Sequence, residues 1–322
     1  MPRLSIVIPC LGSAAEFDDT LVSVLQNRPP RCEVLVVHAQ PYDDPYGLKD
    51  EVRFIRVSGR PSLVQLANTG LEASRGELVH LLGCRMIVQE GWAEAAIEPF
   101  EDSDVAAVSP LILDPVHQQV TAAGVNYGCA GSRKIVGQGL DLKSRQLRKL
   151  KVAGPTLDAG FYRREVLLAL GGWQESLGAD VADVDLALSL AALNLQTLVA
   201  TDCVLHERTA AARVGGFSHG RSLERLFWRQ ASRGSRGLAV SLHLFAVLID
   251  FAIRLPKGDA LTTLLGRAVG LLPAGAKGNY REQLEQARAA LDGEAPSTFS
   301  LAAARDQLSE AALHATQRRR AA

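Results

Sequence analysis

Apolar positions along the chain fall into two kinds: short unbroken runs, and longer segments that repeat at helical spacing. LSIVIPC (4 to 10) and EVLVVHA (33 to 39) are apolar and β-branched throughout, as strands buried on both faces are, whereas VRFIRVS (52 to 58) alternates like a strand nearer an edge. Between the first two, Phe17, Leu21, Val24 and Leu25 recur at helical spacing, which predicts an amphipathic helix over 14 to 27. Pro61 suits the first turn of a second helix carrying Leu63, Leu66 and Ala67, and ELVHLL (77 to 82) follows as a strand. A helix near 91 to 100 and the strand VAAVSPLIL (105 to 113) continue the alternation. This order implies an α/β, Rossmann-like fold with a mainly parallel central sheet flanked by helices. Ligands of such sheets sit at the carboxyl ends of the strands, which places Pro9, His38 and Gly83 to Arg85 at one crevice.

The second half opens with a glycine-rich polar stretch, 124 to 154, predicted as a loop or flap. GFYRREVLLALGGW (160 to 173) reads as a strand end, a short helix and a glycine stop. A helix starts at Asp183, and TLVATDCVLH (197 to 206) is the last strand. Two regions result: 1 to 207, and a mainly helical region from 208 to 322. In the latter, Arg221, Arg225, Arg229 and Arg233 recur every four residues beside Leu226, Phe227 and Trp228. That spacing suits peripheral contact with an anionic membrane surface or a phosphate-bearing acceptor, and equally a solvated face paired with acids. LAVSLHLFAVLIDFAIRL (238 to 255) is interrupted by His243, Asp250 and Arg254. A central charge costs about 2.5 to 3.5 kcal/mol on insertion while each Leu or Ile returns about 0.3 to 0.6, which favours a packed or interfacial helix over a membrane span. From 280 onward, helix signals broken by GEAPSTFS suggest a docking helix or a partly disordered tail.

Composition changes this picture little. The 322 residues carry 35 basic and 35 acidic side chains, so nothing draws the chain toward nucleic acid. Five widely spaced cysteines without a CxxC pair give no zinc or redox motif and fit a reducing cytoplasm. The first residues lead straight into a strand without the regions of a signal peptide, so export is not expected. The expected location is cytoplasmic, with the basic stripe allowing a peripheral position at the inner face of a membrane.

The succession IVIPCLG, EVLVVHA, LANTGLEASRGELVHLLGCR, GFYRREVLLALGGWQESLGADVADVDLAL and VLH resembles the family 2 glycosyltransferases of GT-A fold, over about residues 3 to 207. The second half carries the more specific part: a strand, Arg-Arg-Glu-Val, a Gly-Gly-aromatic turn and an Asp-x-Asp-Leu helix. The resemblance implies transfer of a sugar from a nucleotide-sugar donor to an acceptor hydroxyl, with a saccharide or lipid-linked acceptor. A divalent metal, Mn or Mg, usually bridges the diphosphate to carboxylates while a base takes the acceptor proton.

The sequence departs from the family pattern three times. His38 and Ala39 stand where acids usually meet the nucleoside. Gly83, Cys84 and Arg85 replace the Asp-x-Asp pair, and Ala182 and Asp183 stand in place of Glu-Asp. A cation such as Arg85 repels a metal but attracts a diphosphate directly, so either a metal-independent donor site or a catalytically silent binding or scaffold domain follows. Asp43 and Asp44 lie close enough along the chain for a folded loop to return them to the crevice. Asp183 matches the family's base, with helix capping as the structural alternative. Asp185 lies about 200 degrees around the helix and cannot share its direction. By the same resemblance Asn68 belongs to the donor side, with capping of a turn as its structural alternative, Gly172 and Trp173 belong to the acceptor side, a glycine pair being also an ordinary helix stop, and His206 is a candidate metal ligand. Core packing is the default for Trp173.

Overall fold

The computed structural model describes residues 3–12, 14–114, 116, 119–128, 131–208, 215–231, 236–272 and 280–293. Strand β1 (Leu4–Cys10) pairs in parallel with β2 (Cys32–His38) and β4 (Leu78–Leu82), and β2 pairs in parallel with β3 (Val52–Arg56). Beyond β4 the direction changes. Strand β10 (Ala159–Arg163) runs antiparallel between β4 and β6 (Val105–Leu113), β11 (Gln196–Glu207) lies parallel to β6, and β5 (Met86–Ile87) caps the edge antiparallel to β11. The sheet order is β3-β2-β1-β4-β10-β6-β11-β5, with β7 (Val120–Ala122) paired to β6. The sheet is therefore mixed: parallel in its first half, with β10 reversed inside its second half and β5 and β7 antiparallel to their partners there. Periodicity marks β10 as a strand but carries no information on its direction.

Each strand alternates its side chains between two cores. Ile6, Ile8, Val34 and Val36 face α1 (Ala14–Gln26) through Phe17, Leu21 and Val24, while Val7, Leu35 and Val37 face α2 (Leu63–Ala73) through Val64, Leu66 and Leu71. Helix α2 presses so closely on the sheet that a side chain at Gly70 would collide with Val7. A reciprocal capping box opens α2: Gln65 N donates to Ser62 Oγ and Ser62 N to Gln65 Oε1. Pro61 thus precedes the N-cap instead of occupying the first turn, because Ser62 supplies the better cap.

The stretch around 91 to 100 is a short α3 (Glu94–Ile97) followed by a 3-10 turn. The polar segment 124 to 154 is more ordered than a loop: β8 (Gly124–Tyr127) and β9 (Arg133–Val136) form a hairpin. Helices α4 (Arg164–Ala169) and α5 (Ala182–Ala192) flank the glycine turn between them. Among the described residues after β11 lie the helices α6 (Gly216–Ala231), α7 (Arg236–Arg254), α8 (Ala260–Gly270) and α9 (Tyr280–Leu291). Leu223 and Leu226 of α6 join Val125, Leu177 and Val184 in a small core, so α6 is seated against the hairpin and α5. Helix α9 docks on the body through Tyr280, which bonds Ser189 at 3.0 Å, and Gln283, which donates to Leu170 O. Residues 294 to 322, including most of the expected tail, lie outside the described residues.

Candidate functional site

The carboxyl ends of β1, β2 and β4 open on one side of the sheet, and the segments that follow them form the crevice. At the end of β2, His38 is buried, with Nδ1 2.7 Å from Gln40 O, and its ring meets those of Tyr42 and Phe54 edge to face. Pro9 lies beside it in the paired register of β1 and β2, where Pro9 faces Val37 and Cys10 faces His38. The loop after β2 returns an acid to this corner. Asp44, at φ 49°, accepts Leu48 N with Oδ1, and its charge reaches Tyr42 together with that of Asp18 from α1. Burial first, then these two carboxylates, pushes the Tyr42 hydroxyl up to about 12. Tyr42 Oη, Asp18 Oδ1 and Asp44 Oδ2 are all buried and hold no hydrogen bond among the described residues. Buried polar atoms are nearly always paired, so three orphans together are a site with unmet bonding capacity. Asp43, by contrast, is exposed. Sequence reasoning missed Asp18 and Tyr42: they are carried on separate elements and converge only in the fold.

At the end of β4 the chain turns through Gly83, whose N–H donates to Asp158 O at 2.7 Å, and Met86 N closes the turn on Gly83 O. A side chain at Gly83 would crowd the Asp158 backbone, which leaves room here only for glycine or a shifted strand end. Cys84 and Arg85 are half-buried. Arg85 O accepts Arg208 N, and the Arg208 guanidinium pairs with Asp19 of α1, so a second arginine stands at this mouth. Asp158, just before β10, is a second acid that sequence reasoning overlooked. Burial raises its pKa above the usual carboxylate value, Arg133 and Arg85 pull it down, and Asp183 pushes it up.

Asp183 is enclosed. Its Oδ2 accepts Arg133 Nη2 at 2.7 Å, Arg133 Nε at 2.9 Å and Leu157 N at 3.1 Å, while Oδ1 accepts Val184 N at 2.8 Å. Its side chain has 0% exposure and that of Arg133 has 17%. Burial works against the charge on Arg133, and Asp183 more than restores it. The β8–β9 hairpin thus reaches over the start of α5 and occupies the carboxylate, a contact between two segments 50 residues apart that no local pattern announces. Asp185 points elsewhere, to Arg229 at 2.8 Å and Gln230 at 3.1 Å. Asp180 stands at the rim, 3.4 Å from His219 Nδ1.

The remaining candidates are mostly structural in their contacts. Asn68 clamps the glycine turn, donating to Trp173 O at 2.8 Å and accepting Trp173 N at 2.9 Å. Gly171 and Gly172 both have φ near +73°, and a side chain at Gly172 would strike Asn68 Oδ1. Trp173 is buried, edge to face with Tyr162 at 5.4 Å between ring centroids. His206 is half-buried in β11 opposite Ile87, with its pKa lowered by burial. Of the arginine stripe, Arg225 donates to Ser176 O, and Arg229 binds Asp185 and Gln283 and lies over the Tyr280 ring, so both turn toward the body. Arg233 lies outside the described residues.

A hard divalent cation needs several oxygen ligands converging on one point. The β4 end offers glycine, cysteine and arginine, and among the described residues no three His, Cys, Asp or Glu side chains are grouped so as to hold a metal ion. The residues do not fit the metal that the resemblance implies.

No family model and no curated protein matches the sequence. Solved structures do match. The chain is similar to GalNAc-T7, solved with UDP, GalNAc and Mn2+, at 15% identity and a TM-score of 0.56, over 70% of this chain and 48% of that one. It is also similar to the mannosyltransferase PcManGT from Pyrobaculum calidifontis, solved with GDP-Man and Mn2+, at 17% identity and a TM-score of 0.50, over 91% of this chain and 87% of that one. The chain spans about half the length of the GalNAc-T7 chain. Its fold is that of the GT-A glycosyltransferases, a curled mixed sheet between helices with a helical part after it.

Proposed function

We propose that this protein is a glycosyltransferase that binds a nucleotide-sugar donor at the β1, β2 and β4 ends and holds its diphosphate with arginine in place of metal. The observation that carries the reading is Arg85, set at the strand end where the fold delivers its donor contacts, with Arg208 bonded to its carbonyl. Guanidinium groups bind phosphate oxygens through paired, charge-assisted hydrogen bonds, which supply charge neutralisation without coordination chemistry. At the opposite end of the crevice, the unpaired Tyr42, Asp18 and Asp44 atoms suit the donors and acceptors of a nucleoside, with Pro9 and His38 forming the floor. The structural neighbours contain UDP or GDP-Man, which supports a nucleotide-sugar as the class of donor.

Proton removal from the acceptor falls to an acid on the far side of Arg85. Asp183 is the candidate that the family resemblance gives, and it takes a proton only after Arg133 withdraws from both of its oxygens. Asp158 is half-buried near Arg85, and burial raises its pKa, which makes it a second candidate for the base. The hairpin carrying Arg133 then acts as a clasp on the acceptor side, where Gly172 and Trp173 fix the turn behind it. Incubation with UDP- and GDP-sugars, saccharide and lipid-linked acceptors and EDTA, followed by assay of released nucleoside diphosphate, tests the reading. Release that Asp158→Asn abolishes and Asp183→Asn spares assigns the base to Asp158; the reverse assigns it to Asp183. Absence of release with every donor and acceptor contradicts the transfer reaction and favours a silent donor-binding domain.

A further inference from the structure

Helices α7 and α8 are built inside out. The side chains that α7 turns toward the body include His243, Asp250 and Arg254, while Leu242, Leu244, Phe245, Leu248, Ile249 and Ile253 face outward at 44 to 67% exposure. Helix α8 repeats the pattern: Thr263, Gly266, Arg267 and Gly270 are buried, and Leu261, Leu265, Leu271 and Leu272 are 52 to 63% exposed. The inward charged groups pair with one another. His243 Nε2 lies 3.0 Å from both Glu224 oxygens, Arg267 bonds Glu224 at 3.3 Å and approaches Asp250 at 3.5 Å, and Arg254 bonds Asp250 and Asp259. Rotating α7 by half a turn would bury its leucines but strip this network, so the network fixes which face is outward.

The helices also touch as helices in lipid do. Where α6 crosses α8, side chains at Gly220 and Gly266 would collide with the backbones of Thr263 and Phe217, and one at Gly270 would meet Arg221 O at 2.9 Å. GFSHG (216 to 220) and GRAVG (266 to 270) both place small residues four apart, the spacing that lets backbones approach closely when leucine burial provides no drive between helices. A contiguous apolar face of this extent marks a contact surface, and the charge around it selects the occupant. Residues 236 to 272 contain four basic and two acidic residues, and both acids are engaged by Arg254 or Arg267 on the inner side, which leaves Arg236 and Lys257 in excess. Arg236 opens α7 and Lys257 lies in the turn after it. Two copies placed face to face would bring like charges together, whereas an anionic leaflet complements them. Among the described residues no helix is long and apolar enough to cross a membrane, so the pair suits the plane of the interface.

We propose that α7 and α8 form an in-plane membrane-binding surface, their outward leucines sunk at the acyl boundary of an anionic leaflet. This replaces the Arg221-to-Arg233 stripe as the point of contact. It is independent of the donor-site reading. The test is flotation of the full chain with vesicles of phosphatidylcholine alone or mixed with phosphatidylglycerol, alongside sedimentation to measure its oligomeric state. The expected result is flotation with the anionic vesicles that falls by at least about tenfold in a Leu244→Glu, Leu248→Glu double variant. Because both positions are exposed, the melting temperature of that variant should stay close to the parent's. Should the double variant misfold, a Phe245→Trp variant gives a second reading, the emission of its introduced indole shifting to the blue when anionic vesicles are added. The proposal is overturned if the parent chain stays unbound to both vesicle types, if the double variant floats undiminished, or if the emission of the Phe245→Trp variant does not move. It is also overturned if the chain is a dimer that the double variant dissolves while vesicle binding persists.

Discussion

The α/β body and the α7–α8 pair solve burial in opposite ways. In the body, leucine, isoleucine and valine are enclosed between sheet and helices, and the buried Asp183 is clasped by Arg133 near the half-buried Asp158. In α7 and α8, His243, Asp250, Arg254 and Arg267 turn inward, while Leu242, Leu244, Leu248, Leu261 and Leu265 are exposed. The same composition therefore serves two environments. A body arranged this way covers its own apolar side chains, whereas the helical pair leaves its hydrophobic driving force unspent until something apolar covers it.

The largest contrast comes from removing one partner of the buried clasp. Arg133→Ala leaves Asp183 enclosed and uncompensated, and thermal or denaturant unfolding should show a loss of about 3 to 5 kcal/mol. A stability change under about 1 kcal/mol would mean that water or another cation reaches the carboxylate. Next in size is a matched pair of truncations. Leu35→Ala, in the core between β2 and α2, should cost about 2 to 5 kcal/mol. Leu248→Ala, 67% exposed on α7, should stay within about 0.5 kcal/mol in solution. Equal losses at the two positions would show that α7 is covered in solution and would erase the contrast.

Much of the fold was legible from period alone. β1, β4, β6, β10 and β11, and the helices α1, α2, α4 and α5, stand where unbroken apolar runs and 3.6-residue spacing put them, because those patterns report burial against a sheet. The hairpin within 124 to 154 was not, because its strands are short and half exposed and carry no clear alternation. The antiparallel insertion of β10 was invisible for another reason: strand direction depends on the path of the connecting chain. Where one element carries the signal, position was legible: Arg85 follows the end of β4, and the Gly171–Gly172 pair stops a helix. It was hidden where the signal is a meeting of distant segments, as for Arg133 with Asp183, or Tyr42 with Asp18 and Asp44. The outward face of α7 could not be read either. An amphipathic helix shows two faces in sequence, and only the partners of His243, Asp250 and Arg254 decide which one is buried.

A smaller and finer contrast lies in pH. Burial raises Asp158 in the folded state above its ordinary value of 3.8, so the native chain holds that proton more tightly than the unfolded chain does. Its contribution is complete below 3.8 and fades as pH rises through the raised value, and Asp158→Asn should abolish that fade and gain stability toward neutral pH. Glu224 behaves in the opposite sense. Burial opposes its ionisation, but His243, Trp228 and Arg267 together hold it below its ordinary 4.5. Its contribution is present above 4.5 and is lost as pH falls through the lowered value, so Glu224→Gln should be destabilised at pH 7 and the gap should close in acid. Unfolding curves of both variants across about pH 3 to 8 check the signs, and parallel trends for the two would contradict the assignment.

The donor site is tested most directly by calorimetric titration with UDP, GDP and their sugar conjugates in EDTA, comparing the parent chain with Arg85→Ala. An arginine-held diphosphate predicts that one nucleotide series binds in EDTA and that the variant weakens it by about tenfold or more, in keeping with about 1.5 to 3 kcal/mol for hydrogen bonds to a charged group. Unchanged affinity in Arg85→Ala, or binding that appears only when manganese is added, would contradict the account.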